Sequence, residues 1–223
     1  MRIDIKRGDE FQEFKVPFKS ATLLKALYHI KSYIDQSLTF DANCRYGVCG
    51  TCAVRVNGRE VLACSHKIVD GDVVEPLRNH KVQRDLKVAR DVGRDLKRVR
   101  GWIDSIEDIE TISDGNIVKL EKQSDCILCS SCYSACPIFE VNVDFIAPFA
   151  FTRAYRYLLD VREGDKRGKI DSIQQNGVWD CTLCGACSEA CPQNIDIKSD
   201  ILMLRSESSR FGYFDPNFNL MSF

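Results

Sequence analysis

The chain of 223 residues has no stretch apolar enough to cross a membrane. Its longest weakly polar run, around Phe145 to Phe151, falls far short of the roughly 20 residues a membrane helix needs. Membrane contact is therefore expected only through a partner. Charge of one sign is also missing: 31 Lys and Arg against 32 Asp and Glu leave a net charge of −1, so no overall field argues for nucleic acid. The opening residues, MRIDIKRGDEFQEF, are polar and strand-like and hold no apolar secretory core, which argues against an oxidising compartment and a disulfide framework. No G-x-G-x-x-G occurs, and a flavin or dinucleotide is not expected on this chain. Histidine is scarce, and only His66 lies near a cysteine. A Rieske-type centre would be one histidine short.

What the chain does have is cysteine, twelve of them in three groups with none left over. Cys44, Cys49, Cys52 and Cys64 form C-x4-C-x2-C-x11-C, the plant-type pattern for a [2Fe-2S] cluster. Cys126, Cys129, Cys132 and Cys136, followed by Pro137, form C-x2-C-x2-C-x3-C-P, and Cys181, Cys184, Cys187 and Cys191, followed by Pro192, repeat it. Iron needs soft thiolate ligands, and a short C-x2-C loop aims two sulfurs and its own amides at one cluster. In paired runs of this kind the fourth cysteine of each run serves the other cluster. The spacing thus assigns Cys126, Cys129, Cys132 and Cys191 to one [4Fe-4S] cluster, and Cys181, Cys184, Cys187 and Cys136 to a second. Structural zinc takes four ligands in two pairs, a habit that neither type of loop follows.

The expected fold is α+β, with a β-grasp plant-type ferredoxin domain over residues 1–100 and an all-α two-cluster ferredoxin-like domain over 101–223. At 44% hydrophobic and 28% charged residues, the chain can bury cores for two small domains. RIDIKRG and EFKVPF suit a hairpin, and TLLKALYHIKSYI carries Leu23, Leu24, Leu27, Ile30 and Ile34 at helical spacing. CAVRVNGREVLAC predicts a second hairpin around Asn57-Gly58, which returns Cys64 to the first cluster. Gly47 and Gly50 stand between ligands, where the backbone must come close to sulfur. From Arg78 to Arg100 nine Lys or Arg face three Asp, over an apolar stripe running from Val82 to Ile103. This segment reads as a basic helical bridge with a solvated face. AFTRAYRYLLDV predicts a helix, REGDKRGKID a polar turn-rich link, and SSRFGYFDPNFNLMSF an aromatic tail that docks on this chain or a partner. Arg45, beside Cys44, either tunes cluster charge or faces solvent, and Trp179 packs against the third cysteine loop.

With these motifs in this order, the chain resembles the iron-sulfur subunit of the succinate dehydrogenase and fumarate reductase family. CRYGVCGTCAVRVNGREVLAC, SDCILCSSCYSACP, the AYRYLLDVREGD region and CTLCGACSEACP carry the resemblance, which covers nearly the whole chain. It implies a separate flavoprotein subunit that carries FAD and the substrate site, with the [2Fe-2S] cluster nearest the flavin. It also implies a terminal partner, membrane-associated or heterodisulfide-reductase-like and linked to quinone or to thiols, and a place on the cytoplasmic face of the membrane. Most of the family have an apolar residue where this chain has Cys184, and hold a [3Fe-4S] cluster there. The thiolate restored at Cys184 implies a [4Fe-4S] cluster, or [3Fe-4S] if Cys184 does not ligate, and points to the branch with the heterodisulfide-reductase-like partner. PIFEVN, after Cys136, lacks the tryptophans that flank the quinone pocket of quinone-linked members. The other readings are the electron-transfer subunit of a different flavin-linked oxidoreductase and a redox-sensing iron-sulfur protein.

Overall fold

Alternation in RIDIKR buries Ile3 and Ile5 on one face of strand β1 (Arg2–Arg7), which pairs antiparallel with β2 (Glu10–Lys15). Helix α1 (Leu23–Tyr33) is capped by Thr22, whose side chain accepts from the Lys25 amide, and it buries Leu23, Leu24, Ala26, Leu27 and Ile30 against the sheet. Strands β3 (Ala53–Val56) and β4 (Arg59–Leu62) flank Asn57 and Gly58, whose φ values of 50° and 81° give the left-handed pair that a tight hairpin demands. The short strand β5 (Asp72–Glu75) lies parallel to β1 and antiparallel to β3, and completes a five-stranded mixed sheet in the order β2-β1-β5-β3-β4.

Residues 1–104 and 112–216 are described in this computed structural model, and they divide into two units. The first comprises Met1–Arg90 with Ile127–Ala135, and the second Asp91–Cys126 with Cys136–Phe223.

The basic bridge departs from the helical expectation. Residues 82–88 form a hairpin, β6 (Val82–Arg84) and β7 (Lys87–Val88), and only α2 (Val92–Arg98) is helical. Asp85 turns the hairpin at a φ of 47°, and its carboxylate accepts from the Thr39 amide at 2.8 Å and from Arg7 Nε at 3.1 Å. Leu86 and Val88 are thereby drawn into the core of the first unit. Tertiary partners thus override a stripe that a helix would also satisfy. Nor is the basic face simply solvated: Arg98 donates to the carbonyls of Asp144 and Gln175, and Arg100 pairs with Asp104 and Asp165.

Helix α3 (Asp114–Ser124) leads to Cys126 in the second unit, whereas α4 (Ser131–Ala135) carries Cys132 in the first. Pro137 opens a 3-10 turn (Pro137–Glu140), and α5 (Pro148–Leu159), α6 (Lys166–Ser172), α7 (Ala186–Glu189) and α8 (Ile197–Arg210) follow. The expected turn-rich link therefore folds in part into α6, capped by Asp165. Ions hold these helices together as well as apolar contacts. Buried Lys169 pairs with Glu163 at 2.9 Å and Asp104 at 3.2 Å, and buried Asp160 takes Arg156 and Arg162. In the tail, Arg167 lies over the rings of Phe211 and Tyr213, and Tyr213 donates its hydroxyl to Asp171 at 2.8 Å. The rest of the tail, 217–223, lies outside the described residues. Among the described residues no helix is long and apolar enough to cross a membrane.

Asp200 links three helices: from α8 it accepts from Gln123 of α3 at 2.9 Å and from Thr152 of α5 at 2.8 Å. Burial pushes its carboxyl up to about 6, against the lowering effect of those two hydrogen bonds. The native state thus keeps a proton that the unfolded chain releases near pH 4, so stability falls as pH rises from about 4 through about 6. Asp200→Asn removes that slope. Anaerobic unfolding at pH 8 should find the variant more stable than the parent by about 2 kcal/mol, an advantage that vanishes near pH 4.

Candidate iron-sulfur sites

The first site is built on the loop that leads into β3 and on the turn that follows β4. Cys44, Cys49 and Cys52 lie on the loop that runs into β3, and Cys64 follows β4, returned by the hairpin. The amides at the start of α1 fix this return, because Leu23 and Leu24 donate to the carbonyls of His66 and Ala63, both at 2.8 Å, on either side of Cys64. Loop amides and hydroxyls turn toward sulfur: the Tyr46 amide donates to Cys44 Sγ at 3.3 Å, and Cys64 Sγ lies 3.7 Å from Ser65 Oγ. Burial pushes the Cys49 thiol up, but hydrogen bonds from Thr51 and Cys44 outweigh it and hold the group down at about 6. Cys52, more deeply set, is pushed up to about 11 by burial. Arg45 is exposed and lies over the Tyr28 ring, 5.0 Å from its centre. His66 Nε2 pairs with Asp72 at 3.1 Å, which gives it a structural partner.

Gly50 brings the second cysteine run against the first. At a φ of 69° its backbone approaches so closely that an added Cβ would stand 2.6 Å from Cys129 Cβ and 2.8 Å from Cys129 Cα. Cys129 and Cys132 are buried in this unit, and Cys129 Sγ lies 3.4 Å from Ser131 Oγ. Cys126 and Cys191 belong to the second unit, where Arg153 donates to the Cys126 carbonyl at 2.7 Å and the Ile195 amide donates to Cys191 Sγ at 3.4 Å.

The third run curls like the second. Leu128 and Leu183 both have a φ of 55°, and Ser130 (66°) occupies the left-handed position that Gly185 (84°) takes in the third run. Cys136, Cys181, Cys184 and Cys187 line one cavity, together with Phe145, Pro148, Lys198 and Ile201. The crosswise set read from spacing is therefore gathered around one space. Cys184 is exposed at its rim, while burial pushes Cys136 up to about 11 and Cys187 to about 12. The Leu183 amide donates to Cys181 Sγ at 3.4 Å. Trp179 donates to Gln174 at 2.8 Å and lies under the Arg205 guanidinium.

This donor set fits iron-sulfur clusters: soft sulfur ligands, amides aimed at sulfur, and at the third site a largely apolar lining from Phe145, Pro148 and Ile201. Sequence reasoning missed the arginines that brace these loops. Arg90 donates to the carbonyls of Gly50, Thr51 and Ala53, and Arg205 to those of Val178, Trp179 and Cys181. Residue identity alone does not separate a bracing arginine from a solvated one.

Residues 2–94 match a 2Fe-2S iron-sulfur cluster binding domain, and residues 122–195 a 4Fe-4S dicluster domain. The fumarate reductase iron-sulfur subunit of Escherichia coli O6:H1 is 36% identical over 217 residues, 88% of this chain and 85% of that protein. This chain belongs to the iron-sulfur subunits of the succinate dehydrogenase and fumarate reductase family. The 8-methylmenaquinol:fumarate reductase iron-sulfur subunit of Wolinella succinogenes is 34% identical over 95% of this chain and 72% of its own length. A fumarate reductase (CoM/CoB) subunit of Methanothermobacter marburgensis is 31% identical over 90% of this chain and 41% of its own length. A chain of the Mycobacterium smegmatis Sdh1 complex in the apo form shares the fold, with a TM-score of 0.83 at 21% identity, covering 96% of this chain and 98% of that one. Family membership makes this chain an electron-transfer subunit of an oxidoreductase complex.

The close approach at Gly50 should be sensitive to a single methyl group. Gly50→Ala should cost the first unit about 2 kcal/mol more than Gly47→Ala, whose Cβ would meet only Ser65 Oγ at 3.5 Å and which bears the backbone strain alone. Iron per chain and the anaerobic unfolding midpoint check this; Gly50→Ala should lower both.

Proposed function

We propose that this chain carries three clusters and relays single electrons between a flavoprotein subunit with FAD, where succinate and fumarate interconvert, and a terminal partner. The [2Fe-2S] cluster lies on Cys44, Cys49, Cys52 and Cys64 in a domain over residues 1–100. The two [4Fe-4S] clusters lie over 101–223, one on Cys126, Cys129, Cys132 and Cys191 and the other on Cys136, Cys181, Cys184 and Cys187. The observation that carries this reading is the convergence of Cys136 with all three cysteines 181, 184 and 187 on one cavity. A fourth thiol at the rim favours a full [4Fe-4S] complement there.

When bound, the clusters supply one-electron oxidation and reduction. The chain's own residues set the conditions. The Tyr46, Leu183 and Ile195 amides donate to ligand sulfurs and favour added negative charge. Phe145, Pro148 and Ile201 exclude water around the third site. No residue of the chain acts as an acid or base toward substrate.

In this reading the [2Fe-2S] end faces the flavin and the Cys184 end the terminal partner, on the cytoplasmic face of the membrane, in keeping with the family resemblance. Cys184, together with the likeness to a CoM/CoB-linked fumarate reductase, favours a heterodisulfide-reductase-like, thiol-linked partner over a membrane-anchored quinone site.

Two measurements test this reading. The native complex, purified anaerobically through this subunit, should reduce dye with succinate and oxidise reduced dye with fumarate; an intact flavin-containing complex inert to both would move the chain to another flavin-linked oxidoreductase. Cys184→Ser, oxidised and observed by electron paramagnetic resonance, should gain the signal of a three-iron cluster. An unchanged spectrum at full iron content would remove Cys184 from the ligand set.

A further inference from the structure

We propose that Arg90 is a potential-setting residue shared by the first two cysteine loops, a fixed positive charge that favours the reduced state of the [2Fe-2S] cluster and of the centre to which Cys129 belongs. This rests on the reading of both loops as cluster sites. Its Nη1 donates to the Gly50 carbonyl at 3.1 Å, and its Nη2 to those of Thr51 at 2.9 Å and Ala53 at 3.4 Å. The guanidinium therefore lies where the first cysteine loop enters β3 and where Gly50 touches Cys129.

All three acceptors are neutral carbonyls, and the buried Nε–H has no hydrogen-bond partner among the described residues. Among the described residues, Cys129, Asp41, Cys52 and Cys49 are the groups whose negative charge would favour the Arg90 cation. Asp41 has a cation of its own, Lys87, at 3.4 Å. Burial acts against the charged guanidinium, and a desolvated cation bonded only to carbonyls is costly unless an anion stands nearby. With iron bound, thiolates of both loops would supply that anion. A cluster held there would carry one further negative charge in its reduced state. Arg90 stays protonated in both states, so its charge stabilises the reduced form more than the oxidised one and no proton accompanies the electron.

Arg153 and Arg205 also donate to carbonyls at cysteine loops of the second unit. Arg90 differs in holding one cysteine loop at the point where that loop meets Cys129 of the next. A purely mechanical brace would fix the loop without moving its potential, which makes the two roles separable.

The test is potentiometric titration followed by electron paramagnetic resonance, on the full chain purified anaerobically with its clusters, for the parent, Arg90→Met and Arg90→Lys. In Arg90→Met the ratio of reduced to oxidised two-iron centre at fixed potential should fall about tenfold, a drop of about 59 mV in midpoint for a one-electron couple. The four-iron centre to which Cys129 is assigned should move the same way, and the Cys184 centre should stay unchanged. Arg90→Lys keeps the charge and should move less than half as far. If only Arg90→Met fails to take up iron, Arg90→Gln, which keeps a neutral donor, replaces it in the comparison. The proposal is overturned if the midpoint is unchanged at full iron content, if the charged and neutral variants shift equally, or if Met and Lys variants both lose the cluster. Absence of a two-iron signal from the parent would instead overturn the cluster reading beneath it.

Discussion

Burying sulfur is the constraint on which the rest of this molecule depends. Cys52, Cys136 and Cys187 lie deep enough that burial raises their thiols well above the ordinary range, so a charged sulfur there is costly without a partner. The surrounding loops are built for the state in which a metal is that partner. Amides point at Cys44, Cys181 and Cys191, left-handed residues turn the backbone so that they can do so, and arginines hold the carbonyls that face the other way. Metal uptake and folding are coupled in such an arrangement, since the same contacts that exclude water also make an empty thiol pocket unfavourable.

The legible parts of the fold were those in which a local pattern has one solution. Asn57-Gly58 between alternating runs specifies a hairpin, the leucines of α1 specify a helix, and cysteine spacing specifies loops that close on themselves. The hairpin of β6 and β7 was hidden because Val82, Leu86 and Ala89 repeat at a helical interval; only the ties from Arg7 and Thr39 to Asp85, at sequence separations of 78 and 46, decide the matter. The four-residue β5 is too short to announce itself, and it exists because β1 and β3 leave a gap between them that it fills. The cysteine groups were readable for the opposite reason, since most of their geometry is set within a dozen residues. The bracing roles of Arg90 and Arg205 depend on which carbonyls the fold delivers to them, and no local pattern encodes that.

The second unit relies on ions as well as on an apolar core. Lys169 with Glu163 and Asp104, Asp160 with Arg156 and Arg162, and Asp200 with two neutral donors each tie together parts of its helical framework. Such pairs add little net stability over well-packed apolar residues, but breaking one leaves a charge stranded in the interior. Their contribution is to select one arrangement of helices, and hence one placement of the cysteines that the helices carry.

The missing side chain at Gly50 decides how tightly the first two loops can pack. Backbone meets the Cys129 side chain there with no intervening ring, carboxylate or gap wide enough for water. The two loops therefore meet in direct van der Waals contact, with the Ile127 carbonyl close by as well. Any side chain at position 50 would wedge them apart, so the spacing of the two cysteine loops is set by an atom that is not there.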